Sequence, residues 1–176
     1  MLIGKQHSAL SCFVFNIIDA FGVQVGELRW PDVAVATNAR LKNSMPSFLN
    51  ANIEIDYQSH RYLIEFEYLN RDWFNGIRFT LKNGDTIIAS ADVGPSKKLF
   101  KRPTIIVTQP FTGELVRKSS LLATRYEVIK DSILIGEIAE ESKLTFKRKL
   151  TINLPKDISA PIQIFLFFLV CNQAYR

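Results

Sequence analysis

A chain of 176 residues, 47% hydrophobic and 22% charged, is the size of one domain and carries enough apolar content for a core, which excludes a disordered or low-complexity polymer. With 22 Lys and Arg against 17 Asp and Glu, the net charge is +5; this mild basic balance admits an anionic partner such as a phosphate, a nucleic acid or a lipid headgroup, and equally a solvated surface with none. The 2 Cys and 2 His have no metal-ligand spacing, so a zinc site is excluded, and nothing motivates a disulfide between Cys12 and Cys171, which read as small buried hydrophobes of a reducing compartment.

The N-terminal segment, residues 1–11, has no apolar stretch of signal-peptide type and reads as a flexible arm ahead of a single domain spanning 12–176. From Cys12 to Ile18 the residues alternate, with Phe13, Phe15 and Ile17 on one face. A short turn at Asp19-Ala20-Phe21-Gly22 leads to a second strand ending at Trp30, and Trp30-Pro31-Asp32 breaks it. A further short strand is expected within Val33 to Leu41, then a loop through Pro46. Ile53 to Tyr57 and Arg61 to Leu69 alternate again, the latter with Tyr62, Ile64, Phe66 and Tyr68 opposite Glu65 and Glu67. Gly76 to Leu81 and Thr86 to Ala91 flank Asn83-Gly84, a hairpin signal that suits positive φ at both central positions.

After a polar, basic stretch from Asp92 to Arg102, strands are expected over Thr104 to Thr108, Gly113 to Lys118, Ala123 to Ile129, Ile133 to Ile138 and Leu144 to Leu154. The linkers Lys130-Asp131-Ser132 and Glu140-Glu141-Ser142-Lys143 separate the last three. Short strands at regular spacing argue a sandwich or a barrel. The final element differs. Ser159 can cap, Pro161 is tolerated in a first turn, and Ile162 to Cys171 is an apolar run broken only by Gln163, which predicts a helix over about 159–174. A helix that is apolar all round belongs in a core or a membrane, and this run is short of the roughly 20 residues a membrane span needs. Each strand has one apolar face, so a closed barrel lined by those faces needs a filling, and the helix has the right shape for it.

The late hairpin Tyr126-Glu127-Val128-Ile129 with Ser132 to Ile138, the segment Phe146 to Pro155, the helix Ile162 to Cys171 and the mid-chain Trp73-Phe74-Asn75-Gly76-Ile77-Arg78-Phe79 together resemble the tubby C-terminal-like superfamily, which includes LURP-one-related proteins and phospholipid scramblases. The resemblance covers roughly residues 53–176 and rests on the pattern of elements. It implies a mostly β fold: a closed antiparallel barrel of about twelve strands enclosing the hydrophobic C-terminal helix. It also implies a phosphoinositide headgroup as a ligand class, held by basic residues two apart on a strand. Scramblases are calcium-dependent, but no D-x-[DN]-x-[DN]-G loop and no proline-rich arm occur here, so scramblase activity is not expected.

The residues offer three candidate sites. The stretch Lys97-Lys98-Leu99-Phe100-Lys101-Arg102 suits an anionic membrane surface, at about 1 kcal/mol per basic residue; the plainer reading is a solvated loop with Leu99 and Phe100 packed inward. Lys147 and Lys149 share a strand face opposite Phe146, Leu150 and Ile152, as a headgroup clamp or as edge lysines that discourage aggregation. Arg148 falls on the apolar phase, from which a bulge or a barrel-end position would let it escape. Glu54, Asp56, Glu65 and Glu67 could converge for metal binding or acid–base work, or form a polar sheet face paired with Arg61 or Arg78.

No nucleophile elbow, P-loop or dinucleotide fingerprint occurs, and His7 and His60 sit in unpromising contexts. The sequence therefore predicts a non-enzymatic module with no cofactor and no bound metal. Its expected partner is anionic phospholipid or phosphoinositide, met through Lys97, Lys98, Lys101, Arg102, Lys147 and Lys149. One basic stretch with a single Phe does not make a nucleic-acid surface. The expected location is the cytoplasm, peripheral to the inner face of a membrane, with no transmembrane segment; the oligomeric state is left open. The alternatives are a structural or protein-interaction domain with no small ligand, and a metal-dependent phosphohydrolase using the acidic residues.

Overall fold

The computed structural model of the chain describes residues 1–7, 13–30, 53–69, 76–94, 104–119, 124–141 and 148–173. Among these residues twelve strands and one helix follow in order: β1 (Leu2–Gln6), β2 (Phe13–Ile18), β3 (Gln24–Trp30), β4 (Ile53–Tyr57), β5 (His60–Tyr68), β6 (Ile77–Asn83), β7 (Thr86–Val93), β8 (Ile105–Gln109), β9 (Gly113–Ser119), β10 (Thr124–Lys130), β11 (Ile133–Glu140), β12 (Lys149–Asn153) and α1 (Ala160–Gln173). Every strand pairs antiparallel with its chain neighbours, and β1 pairs with β12 (Leu2 opposite Ile152, Gly4 opposite Leu150), so the sheet closes into an up-and-down barrel with no free edge.

That closure corrects the expectation of a flexible arm over residues 1–11. Leu2, Gly4 and Gln6 alternate inward as Phe13, Phe15 and Ile17 do, and five residues suffice for a strand that has a partner on each side. Residues 8–11 lie outside the described residues, as do the strand expected within 33–41 and the first part of the one expected from 144. Two other expectations change in detail. Glu140 ends β11 with a buried side chain and does not belong to a polar linker. The Asn-Gly hairpin forms, but β6 runs through Asn83, the turn is Gly84-Asp85, and only Gly84 has positive φ (58°). Glycine there meets the requirement of a turn with a left-handed first central residue. The two positive-φ pairs are Gln58-Ser59 and Asp131-Ser132.

The helix lies inside. Every residue from Pro161 to Asn172 is buried, and its backbone comes nearest to β4 and β7, where Ala89 and Ala91 point inward and leave room. Fully burying one such Leu, Ile or Phe contributes about 1.5–3 kcal/mol relative to exposure. The ring of Phe168 meets Phe13, Trp30 and Phe79 edge-on at centroid distances of 5.6, 6.1 and 5.4 Å. Phe167 meets Phe15 at 5.1 Å and also occupies the space that a side chain on Gly4 would need. Such edge-to-face pairs are the geometry aromatic quadrupoles favour. Gln163, the one break in the apolar run, donates its amide to the carbonyls of Ile158 (2.7 Å) and Pro155 (3.3 Å) and so ties the incoming segment to the helix. Among the described residues no helix is long and apolar enough to cross a membrane.

Candidate functional site

An up-and-down barrel sends its connections alternately to two ends. The tight turns 19–23, 58–59, 84–85, 110–112 and 131–132, with the segment 154–159 leading into α1, lie at one end, here the turn end. The strand ends joined by residues 7–12, 31–52, 69–76, 94–104, 120–123 and 141–148 lie at the other, the far end, where α1 finishes. Backbone hydrogen bonds pin four of these pairs of strand ends: His7 N–H to the Val14 carbonyl (3.0 Å), Leu69 N–H to that of Gly76 (3.0 Å), Gly94 N–H to that of Thr104 (2.9 Å) and Glu141 N–H to that of Lys149 (2.9 Å).

Of the basic residues singled out in the sequence, Lys97, Lys98, Lys101, Arg102 and Lys147 lie outside the described residues. Lys149 is described. It starts β12 on the outer face, as its phase predicts, and its ammonium is 2.7 Å from a Glu141 carboxylate oxygen. Arg148 does not escape the inward phase. Its Nε donates to Glu140 Oε1 at 2.8 Å, and that carboxylate is itself buried, so the two charges neutralise each other inside the wall. Arg148 N–H also donates to Gln6 Oε1 (3.1 Å), and Gln6 N–H to the Arg148 carbonyl (2.8 Å). This places a cation beside the last turn of α1, the negative end of its dipole.

The thiol of Cys171, fully buried in that turn, is pushed up to about 12, chiefly by desolvation; Arg148 pulls it down and Glu140 pushes it up. Cys171 is free and is an inert core residue. Gln6, Thr124, Glu140 and Asn172 are also buried polar residues at the far end of the barrel.

Sequence reasoning passed over Arg117, which belongs to this interior. Leu115 and Arg117 share a face of β9 and stand opposite Val128 and Tyr126, both buried. Arg117 is half-buried, and its Nε is shut off from solvent without a hydrogen-bond partner. The signal was present in Leu115-Val116-Arg117-Lys118, where strict alternation carries Arg117 inward after Leu115.

The acidic candidates are consumed on the outer surface. Arg29 bridges Glu54 (2.6 Å) and Asp56 (2.9 Å), Arg61 reaches Asp56 (3.3 Å), Lys82 holds Glu65 (2.7 Å) and Arg78 reaches Glu67 (3.7 Å). Hydrogen bonding to Glu54 holds the Arg29 guanidinium above its ordinary value, and Asp92 does the same for Arg78. Among the described residues no group of three or more His, Cys, Asp or Glu is arranged to hold a metal ion. At the turn end a cavity of about 310 Å³ opens beside Phe111, Pro155 and Ile162; its one basic residue, Lys130, lies over the Phe111 ring at 5.9 Å.

Compared with protein-family models, curated proteins and solved structures, the chain matches none. The closed barrel around a helix is the architecture that the tubby-like resemblance implies, but an architecture alone does not identify a family.

Proposed function

We propose that this chain is a non-enzymatic binding module of tubby-like kind whose far end contacts anionic phospholipid or phosphoinositide headgroups. The observation that carries the reading is the difference between the two ends. The sequence joining the pinned strand ends Gly94 and Thr104 holds Lys97, Lys98, Lys101 and Arg102 with no acidic residue, and that between Glu141 and Lys149 holds Lys143 and Lys147. The turn end has Asp19, Asp85, Asp131 and Asp157 against Lys130 and Lys156. With α1 filling the interior, a ligand has only the surface and the barrel mouths to meet, and opposite charge at one end orients the molecule toward an anionic layer.

Co-sedimentation with vesicles tests this. Binding is expected to phosphatidylcholine vesicles carrying phosphatidylserine or a phosphoinositide, to be absent with phosphatidylcholine alone, and to fall as salt shortens the Debye length from about 10 Å at 0.1 M to about 3 Å at 1 M. Replacing Lys97, Lys98, Lys101 and Arg102 with Gln should abolish it. Retention of binding by that variant refutes the proposal.

A second reading, a protein-interaction domain without a small ligand, draws on the turn end, where Phe21, Val23, Ile133 and Leu134 are exposed, Phe21 at 92%. The phosphohydrolase alternative has less support, because Arg29, Arg61, Lys82 and Arg78 already pair with its carboxylates.

A further inference from the structure

Arg117 stands apart from the other described arginines. Arg29, Arg61, Arg78, Arg125 and Arg148 each pair with a carboxylate, whereas Arg117 has no hydrogen bond and no ion pair to any described residue. It is also one of only two described arginines, with Arg148, that face the barrel interior. The acidic residue on the same inner surface, Glu140, is engaged by Arg148, so it does not serve Arg117. Lys118, the next residue, faces outward and pairs with Glu127 at 3.3 Å.

The Nε–H of Arg117 is shut off from water without a partner, which is costly, and the planar fork of a guanidinium matches the oxygens of a phosphate. Buried Thr124 lies further toward the same rim on the neighbouring strand. We infer that Arg117 is the anchor of a phosphate-binding subsite inside the far-end mouth, with a phosphoryl group as the missing partner of its guanidinium. The inference deepens the headgroup reading above and rests on it for the source of the phosphate. The shared chemistry is the phosphoryl group itself, borne by a lipid headgroup or free in solution.

The competing role is structural: Arg117 would complement the negative end of α1, as Arg148 does. The two roles predict opposite effects of removing the charge. An arginine held for a ligand leaves its buried Nε–H unsatisfied in the empty protein, so Arg117→Met should unfold at the same temperature as the parent or higher. An arginine that serves the helix end should leave a variant that melts lower.

The experiment compares the parent, Arg117→Met and Arg117→Lys by thermal unfolding in sodium phosphate against sodium chloride at equal ionic strength, and by sedimentation with phosphatidylcholine vesicles with and without a phosphoinositide. The expected result is a phosphate- or phosphoinositide-dependent effect on the parent that weakens about tenfold or more in Arg117→Met, with Arg117→Lys between them. Stabilisation of the parent by inorganic phosphate, lost in Arg117→Met, without any vesicle binding keeps the subsite and overturns the membrane reading. Vesicle binding that is equal in parent and Arg117→Met overturns the subsite and keeps the membrane reading. A lower melting temperature for Arg117→Met with unchanged binding assigns the residue to the helix end and overturns the subsite as well. No response of the parent to either probe overturns both.

Discussion

Substituting Gly4 with Ala tests whether the helix is inside the barrel more directly than any change on the helix. A Cβ at position 4 would lie 2.3 Å from Cζ, 2.5 Å from Cε2 and 3.0 Å from Cε1 of Phe167. Carbon atoms in contact sit about 3.5–4 Å apart, so the ring must retreat by more than about 1 Å. It has little room to do so, because Phe15 stands edge-on to it at 5.1 Å. Overpacking of this kind costs about 1–3 kcal/mol. For 176 residues at about 2.1 cal/mol/K each, a loss near 2 kcal/mol lowers the melting temperature by about 5 °C.

The second half of the test is Phe167→Leu, which shortens the side chain and costs roughly 1–2 kcal/mol alone through lost burial and a cavity. In the double variant the methyl group introduced at position 4 enters space that the shorter side chain at position 167 vacates. Urea unfolding should then show a combined cost about 1–2 kcal/mol below the sum of the two. Costs that add to within about 0.5 kcal/mol would mean that position 4 and position 167 do not meet, and the enclosed helix would be refuted with them.

Two further outcomes follow from the far end of the interior. Cys171 keeps its proton when folded up to about pH 12, whereas the unfolded chain releases it near the ordinary 9.0, so its contribution is intact below pH 9 and is lost as pH rises toward 12, by up to about 1.4 kcal/mol per pH unit. Urea midpoints across that window should fall less steeply for Cys171→Ala, and parallel slopes would contradict the burial of the thiol. Glu140→Gln removes the carboxylate charge beside the Arg148 guanidinium, whose side chain is only 18% exposed, and should cost about 3–5 kcal/mol in chemical unfolding; Glu140→Leu with Arg148→Met should recover most of it. A single-variant cost below about 1 kcal/mol would show that the pair is solvated.

The strands and the helix are legible in the sequence because each is set by a local rule. Period-two alternation marks Phe13-Phe15-Ile17 and Tyr62-Ile64-Phe66, and an apolar run without a polar face marks Ile162 to Cys171. β1 escapes such a rule because Leu2-Ile3-Gly4 shows little contrast between its faces. Gly4 is inward by alternation with Leu2 and Gln6, and it is a glycine there because Phe167 fills the space beside it, a fact of tertiary packing. The interior charges are hidden for the same kind of reason. Arg148 looks out of phase because its partner Glu140 sits on the neighbouring strand, eight residues earlier, and only the register brings them to 2.8 Å. The outer acidic residues can be assigned to ion pairs in advance because alternation alone fixes their face, although the chief partner of Glu54 and Asp56 is Arg29 and not Arg61. Arg117 is readable from phase, but with Lys118 it makes a pair too short to stand out as a run of charge.

The helix comes after all twelve strands in the chain, and this order governs how the protein can be made. At about 5–20 residues per second, the ribosome delivers the first strands of the wall well before it delivers what the wall encloses. Until then Phe13, Phe79 and their neighbours have no permanent company, and the two strands that seal the seam are held apart by nearly the whole length of the polypeptide. Closure of the barrel around the helix must therefore wait until α1 has been made, and in that interval the apolar strand faces are open to association with other copies.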